Sequence, residues 1–164
     1  MEASTGIDRA MGEADESGSR IPPPAIYLAG FLIGVAIELA WPIGALPSAL
    51  ALAAGLIGGA LWLALDGSAM MLFQRAGTAI APTKPTTGLV TSGPYRITRN
   101  PMYVGMAFLY VGLALALGVI WSLAFLPVVL LIVDRIVIAG EERYLEDKFG
   151  EEYREYERRV RRWL

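Results

Sequence analysis

The stretch PYRITRNPMYVG, residues 94–105, sets two arginines, two tyrosines and two prolines against a run that carries no charged residue from Met102 to Val133. Pro101 suits the first turn of a helix, where a missing N–H costs nothing, and Asn100 suits the N-cap before it. The stretch therefore reads as a polar loop entering the N-terminus of an apolar helix. Tyr103 falls just inside that helix, and Arg96 and Arg99 fall just outside.

The rest of the chain fits a helix that enters a bilayer. Of 164 residues, 55% are hydrophobic and 18% charged, and the mean hydropathy of +0.49 is too high for an ordinary soluble domain. Apolar runs over 25–41, 47–72, 102–118 and 119–140 predict an all-α polytopic bundle of about four spans in two hairpins. A span needs roughly 20 residues at 1.5 Å rise each, so flanking residues are expected to extend the shorter runs. Residues 1–24 are polar and end in three prolines, which predicts a disordered tail ahead of one membrane domain over 25–164.

Every Lys and Arg lies before residue 25, between Asp66 and Asn100, or after Val133. Positive charge marks the cytoplasmic side, so these three regions and both termini are expected to share it. Gly30 with Gly34, and Gly55 with Gly59, supply the four-residue spacing of small residues that lets helices approach closely in lipid, here expected within one molecule. Residues 141–164 carry Tyr144, Leu145, Phe149, Tyr153, Tyr156, Val160 and Trp163 at spacings of mostly three and four. This is the stripe of one amphipathic helix lying on the membrane or on the bundle. Glu155 with Arg158 and Arg159 is expected to form part of its solvated face.

Several function classes are excluded at this stage. A net charge of -2 gives no surface for nucleic acid. The chain has no Cys and no His, which removes thiolate nucleophiles, Cys or His metal sites and any Ser-His-Asp triad, and no metal is expected. Chemistry is expected in the connector over 73–100, which is long for a link between spans and is kept from becoming one helix by Pro82, Pro85, Pro94, Gly77, Gly88 and Gly93. Glu38, the ionisable residue deep in an apolar run, is a candidate for substrate recognition, with Asp134 and Arg135.

The run TTGLVTSGPYRITRNPMYVG (86–105), followed by EERYLEDKFGEEYREYERRV (141–160), resembles the integral-membrane methyltransferases that include the isoprenylcysteine carboxyl and phospholipid methyltransferases. The resemblance covers 77–160, and its two-part pattern is specific where either half alone is weak. It implies S-adenosylmethionine bound without a Rossmann domain, and a lipophilic acceptor drawn from the bilayer. It assigns cofactor contacts to Thr87, Gly88, Leu89, Val90, Tyr95 and the run Asn100, Pro101, Met102, Tyr103. Glu141 would face the ligand ammonium or ribose, with Glu142 beside it.

A flat adenine, an ammonium, a carboxylate and a sulfonium call for apolar walls, backbone donors and a carboxylate, and the chain supplies all three. Arg99 at a helix N-terminus is expected to pair with the ligand carboxylate. Asn100 stands where many members have His. Val137 stands where the eukaryotic isoprenylcysteine enzymes hold the substrate carboxylate with arginine, and Arg135 lies about 200° round the helix from it. Two rival readings are an NADPH-dependent membrane reductase, with Arg75, Lys84, Arg96 and Arg99 as its basic cluster, and a non-catalytic scaffold whose amphipathic tail docks a partner helix.

Overall fold

In a computed structural model, residues 21–77 and 88–164 are described, and among them there are helices and no strand. Of the tail expected over 1–24, residues 1–20 lie outside the described residues, as does the expected contact Thr87, while Pro23 and Pro24 are already helical. Helix α1 is Pro23–Ala40, α2 is Ser48–Ala76 and α3 is Pro101–Ala116. Helix α4 (Ile120–Ile132) passes through a π turn at Val133–Ile138 into α5 (Ala139–Phe149), and α6 is Glu151–Arg159. A short 3₁₀ turn, Gly93–Arg96, precedes α3.

The helix boundaries follow from the residues. Two prolines occupy the first turn of α1, where their absent N–H groups are not needed. Among the described residues three helices are long and apolar enough to cross a membrane: α1, α2 with 29 residues, and the continuous 30-residue helix from Ile120 to Phe149. The fourth, α3, is apolar and spans 16 residues, short of the usual length. The outward faces carry Leu28, Leu32, Leu52, Leu56, Leu63, Val128 and Leu131, all exposed, as lipid-facing surfaces require.

The helices pair differently from the two expected hairpins. Only residues 41–47 separate α1 from α2, yet α1 packs chiefly on α4 and α2 chiefly on α3. Lipid tails are as apolar as leucine, so close approach and interhelical hydrogen bonds decide which faces meet. A Cβ on Gly34 would collide with the Ser122 backbone of α4, and one on Gly58 would stand 2.6 Å from the Phe108 carbonyl of α3. Gly55 faces Ala116, whereas Gly59 faces open space. The small face of α2 is thus Gly55 with Gly58 and not, as expected, Gly55 with Gly59; the three-residue step carries the face toward Gly112.

Hydrogen bonds tie α1 to α4 and both of them to α3. Ser122 Oγ donates to the Phe31 carbonyl at 3.0 Å, Tyr110 donates to the Ser122 carbonyl at 2.8 Å, and Tyr27 donates to the Tyr103 carbonyl at 2.8 Å. Around them Ile26, Tyr27, Tyr110, Val129, Val133, Val137 and Ile138 form one buried cluster.

The expected single helix over 141–164 is broken. Gly150 adopts φ +53, ψ -122, which residues with a Cβ avoid, so α5 ends there and α6 departs in a new direction. After Arg159 the chain is extended and runs beside residues 98–100, with Thr98 and Arg161 forming a bridge. The apolar stripe folds inward: Tyr153 and Tyr156 are buried with Ala69 and Tyr95, and Leu145, Phe149 and Val160 pack around them. Trp163 packs instead on the first cluster. On the outer face Arg158 pairs with Glu151 at 2.7 Å and Arg154 with Glu146 at 2.8 Å, while Arg159 bonds the Glu155 carbonyl, not its carboxylate.

Candidate functional site

A cavity of about 480 Å³ opens at the end of the bundle where α1 begins, α2 ends, α3 begins and α5 and α6 lie. Its walls take Pro23 and Pro24 from α1, Asp66, Met70 and Phe73 from α2, and Gly88, Leu89 and Val90 from the connector. The far side is Tyr95, Arg99 to Tyr103, Met106, Glu141, Glu142, Tyr144, Leu145, Tyr153 and Tyr156. Of the expected cofactor contacts, all that are described line this one space.

Each contact is set by local folding. The 3₁₀ turn buries Tyr95 edge-on to Phe73, with ring centroids 5.8 Å apart. Tyr156 donates its hydroxyl to the Tyr95 carbonyl at 2.8 Å, tying α6 to the connector. Burial pushes the Tyr95 phenol upward and the Tyr156 phenol up to about 12, so both remain protonated donors near neutrality. Leu89, Val90 and Met102 are half-buried against this cluster and give the cavity its apolar side. Across it, Tyr103 donates to Glu141 Oε1 at 2.7 Å.

Arg99 lines the cavity, but its guanidinium is engaged. It meets Glu142 at 2.7 Å and Glu157 at 3.0 Å, and it also donates to the Glu157 and Val160 carbonyls. The guanidinium expected to pair with a ligand carboxylate is thus held in an internal network, with the Arg99 side chain 8% exposed. Glu142 is held from its other side by Arg162, which also reaches Asp134 at 3.3 Å. Glu142, Arg99, Arg162 and Asp134 thus form the frame behind the cavity wall, and Glu141 is the carboxylate beside the space.

Asn100 has a structural task as well. Its side-chain amide donates to the Arg162 carbonyl at 3.0 Å, Thr98 Oγ1 donates to the same carbonyl at 3.0 Å, and the Arg99 amide donates to the Arg161 carbonyl at 2.9 Å. The extended C-terminal segment straps the loop that starts α3.

Two expected acceptor residues lie elsewhere. Glu38 sits at the opposite end of the bundle, where its carboxylate accepts from the Ile43 amide at 2.8 Å and the Trp121 amide at 3.1 Å. It caps the α4 N-terminus and closes the preceding turn, as a carboxylate at a helix start does. The Arg135 side chain is 76% exposed outside the cavity, 3.5 Å from Asp134. Val137 is fully buried in the core. The basic cluster expected for NADPH is not assembled among the described residues: Arg75 and Arg96 are exposed and do not line the cavity, and Lys84 lies outside the described residues. The buried stripe of α6 likewise leaves its tyrosines unable to receive a partner helix without unpacking.

Asp66, Met70, Phe73, Met106, Tyr153 and Tyr156 were not anticipated as cavity residues. The available signal was Asp66 itself, an acidic residue inside the apolar run over 47–72.

Comparison with known proteins agrees with this geometry in kind. The family model described as phospholipid methyltransferase matches residues 48–152 of the 164. An uncharacterized protein of Haemophilus influenzae is 46% identical over 65 residues, which is 38% of this chain and 100% of that relative. No solved structure matches the chain.

Proposed function

The chain belongs to the phospholipid methyltransferase family, and from that membership we propose that it transfers a methyl group from S-adenosylmethionine to a lipophilic acceptor. The observation that carries this reading is the convergence of Gly88 to Val90, Tyr95, Asn100 to Tyr103 and Glu141 on one cavity. A volume of about 480 Å³ is within the range of small-ligand sites, about 300–1,000 Å³.

The residues fit the cofactor. Leu89, Val90 and Met102 supply apolar walls for the adenine, and the backbone of Gly88 to Val90 supplies donors and acceptors outside any regular helix. Glu141, oriented by the Tyr103 hydroxyl, takes the ammonium. Arg99 acts by bracing Glu142 and α6, which keeps the tyrosine wall in position.

When bound, the sulfonium donor supplies an electrophilic methyl group whose departure neutralises the charge on sulfur. The chain then has to hold acceptor and methyl in line and exclude water, and no nucleophilic side chain is needed. The acceptor reaches the cavity from the bilayer between helices. The cavity end faces the cytoplasm, a reading supported by the collection of described Lys and Arg toward that end.

Calorimetry on detergent-purified protein tests the reading. Adenosylhomocysteine is expected to bind and NADPH is not; heat from NADPH alone, or from neither, overturns it. Labelled methyl donor incubated with the membrane-embedded protein and a total lipid extract then identifies the product.

A further inference from the structure

Behind the cavity wall, on the outer side of Glu142, lies a second depression of about 380 Å³ between the π turn, α5 and α6. Its lining is mostly charged: Arg135, Arg143 and Arg162 stand with Glu142, Glu146 and Glu157 around Ala139. Each of these carboxylates already has a guanidinium. Glu142 is held by Arg99 and Arg162, Glu157 by Arg99 at 3.0 Å, and Glu146 by Arg154 at 2.8 Å. Two guanidiniums are not matched in return. The exposed Arg135 touches Asp134 at 3.5 Å, a carboxylate also committed to Arg162 and Trp163. Arg143 bonds the Ala139 carbonyl of its own helix, and among the described residues no carboxylate pairs with it.

The backbone brings these two arginines together. Eight residues of α-helix would set Arg143 about 80° round the axis from Arg135. The π turn, with its i→i+5 bonding, spends more residues on each turn and takes out most of that angle, so both side chains reach one depression. Their directions agree. Side chains on a helix lean toward its N-terminus, and the bond from Arg143 Nε to the Ala139 carbonyl at 3.0 Å lays the guanidinium back along the helix toward Arg135. The small side chain of Ala139 leaves the space between them open.

Depth in the bilayer points to the ligand. Ile120 to Val133 carries no charge, and Leu131 and Ile136 expose apolar side chains on either side of Arg135. Arg135 therefore stands where hydrocarbon gives way to headgroups, a layer about 5–8 Å deep on each face. Arg143 lies about 12 Å further along the helix, where an arginine ordinarily extends into water. Folded back, it returns its guanidinium toward the headgroup layer.

We propose that this depression binds the phosphate of an anionic phospholipid, held between the guanidiniums of Arg135 and Arg143. A guanidinium fork meets phosphate oxygens through paired, charge-assisted hydrogen bonds. A zwitterionic headgroup fits less well, because its ammonium would need a carboxylate, and those in the lining are taken by Arg99, Arg154 and Arg162. The site is separate from the cavity, with Glu142 and Tyr153 in the wall between the two. The proposal stands independently of the methyltransferase reading. A lipid seated there tethers the corner of α5 and α6 to the membrane surface.

The test uses the full chain in dodecyl maltoside, titrated with dioleoylphosphatidylglycerol, dioleoylphosphatidylcholine or inorganic phosphate. Native mass spectrometry and the unfolding temperature follow binding. Phosphatidylglycerol is expected to stay bound as a discrete adduct and to raise the unfolding temperature, and the other two at equal concentration are expected to do neither. Arg135→Gln with Arg143→Gln should weaken phosphatidylglycerol binding by about 30-fold, the scale of two arginines beside an anionic surface. A charge-matched control, Arg75→Gln with Arg96→Gln, removes two exposed arginines that line neither space and should leave the affinity unchanged. R143Q alone should show part of the loss and stands in if the double variant does not fold.

Equal affinity for the two lipids, or undiminished binding in the double variant, overturns the site. So does an equal loss in the control, which would reduce the effect to the general field of a basic surface. An equal response to inorganic phosphate would overturn the lipid assignment in favour of a free phosphate.

Discussion

The Tyr103 hydroxyl donates to Glu141 Oε1 across 2.7 Å, joining the first turn of α3 to the first turn of α5 over the cavity. This pair links the two halves of the sequence pattern physically. Removing the charge while keeping the shape isolates its contribution. Glu141→Gln is expected to weaken adenosylhomocysteine binding by about 10- to 100-fold, the scale of one charge-assisted hydrogen bond. Tyr103→Phe, which leaves the carboxylate but frees its orientation, should weaken it less. Calorimetry measures both, and equal affinity in E141Q with an unchanged fold would reject the carboxylate's role.

Arg99 should behave as a stability residue more than as a ligand residue. Its side chain is 8% exposed and that of its partner Glu142 12% exposed, so deleting it leaves the buried carboxylate to Arg162 alone. Arg99→Ala is expected to cost about 2–3 kcal/mol, less than the roughly 3–5 kcal/mol of a carboxylate left with no partner. Arg99→Lys should recover only part, because an ammonium cannot bond Glu142, Glu157 and two carbonyls in one plane. Thermal unfolding in detergent gives the answer: wild-type stability in R99A, with lost ligand affinity, would return the guanidinium to the ligand.

The helices were legible in the sequence because lipid leaves a backbone few alternatives, and apolar runs of sufficient length must become helices. Their partners were not. Turn length suggested that α1 and α2 pair, whereas Gly34 and Gly58 select α4 and α3 through close contacts that no local pattern states. Glu38 misled for a related reason: a charge near the end of an apolar run can serve the start of a helix more than 80 residues later. Asp66 stands in the apolar run over 47–72 with no local pattern to say what surrounds it, and only the facing Gly105 shows that its carboxyl is enclosed. The C-terminal strap had no signature at all, since its bonds to Thr98, Arg99 and Asn100 join positions about 60 residues apart.

That strap predicts a truncation effect. Removing residues 160–164 deletes four hydrogen bonds that join them to residues 98–100, together with the Arg162 and Trp163 contacts to Asp134. The helices of the bundle should survive, because none of their mutual contacts is lost. The amides of residues 98–104 should exchange faster with deuterium, and adenosylhomocysteine binding should fall steeply. Asn100→Ala, which removes one of those bonds, should cost about 1 kcal/mol. Unchanged exchange in the truncated protein would show that α3 starts correctly without the strap.

Gly58 and Gly59 are adjacent on α2 and give the sharpest test of how the helices meet. A Cβ on Gly58 would press on Phe108 O at 2.6 Å and Gly112 Cα at 2.8 Å, both backbone atoms that cannot swing aside. One on Gly59 meets nothing within 4 Å. Gly58→Ala is therefore expected to destabilise by about 1–3 kcal/mol, the usual cost of overpacking. Gly59→Ala should leave stability unchanged or raise it, since Ala favours a helix over Gly by up to about 1 kcal/mol. The effect should also reach the site: α2 carries Asp66 two turns beyond Gly58, so pushing α2 off α3 widens the gap at Gly105 and loosens the carboxyl it encloses. Unfolding measurements on the two variants decide the matter. Equal losses, or a greater loss at Gly59, would mean that α2 presents a different face to α3.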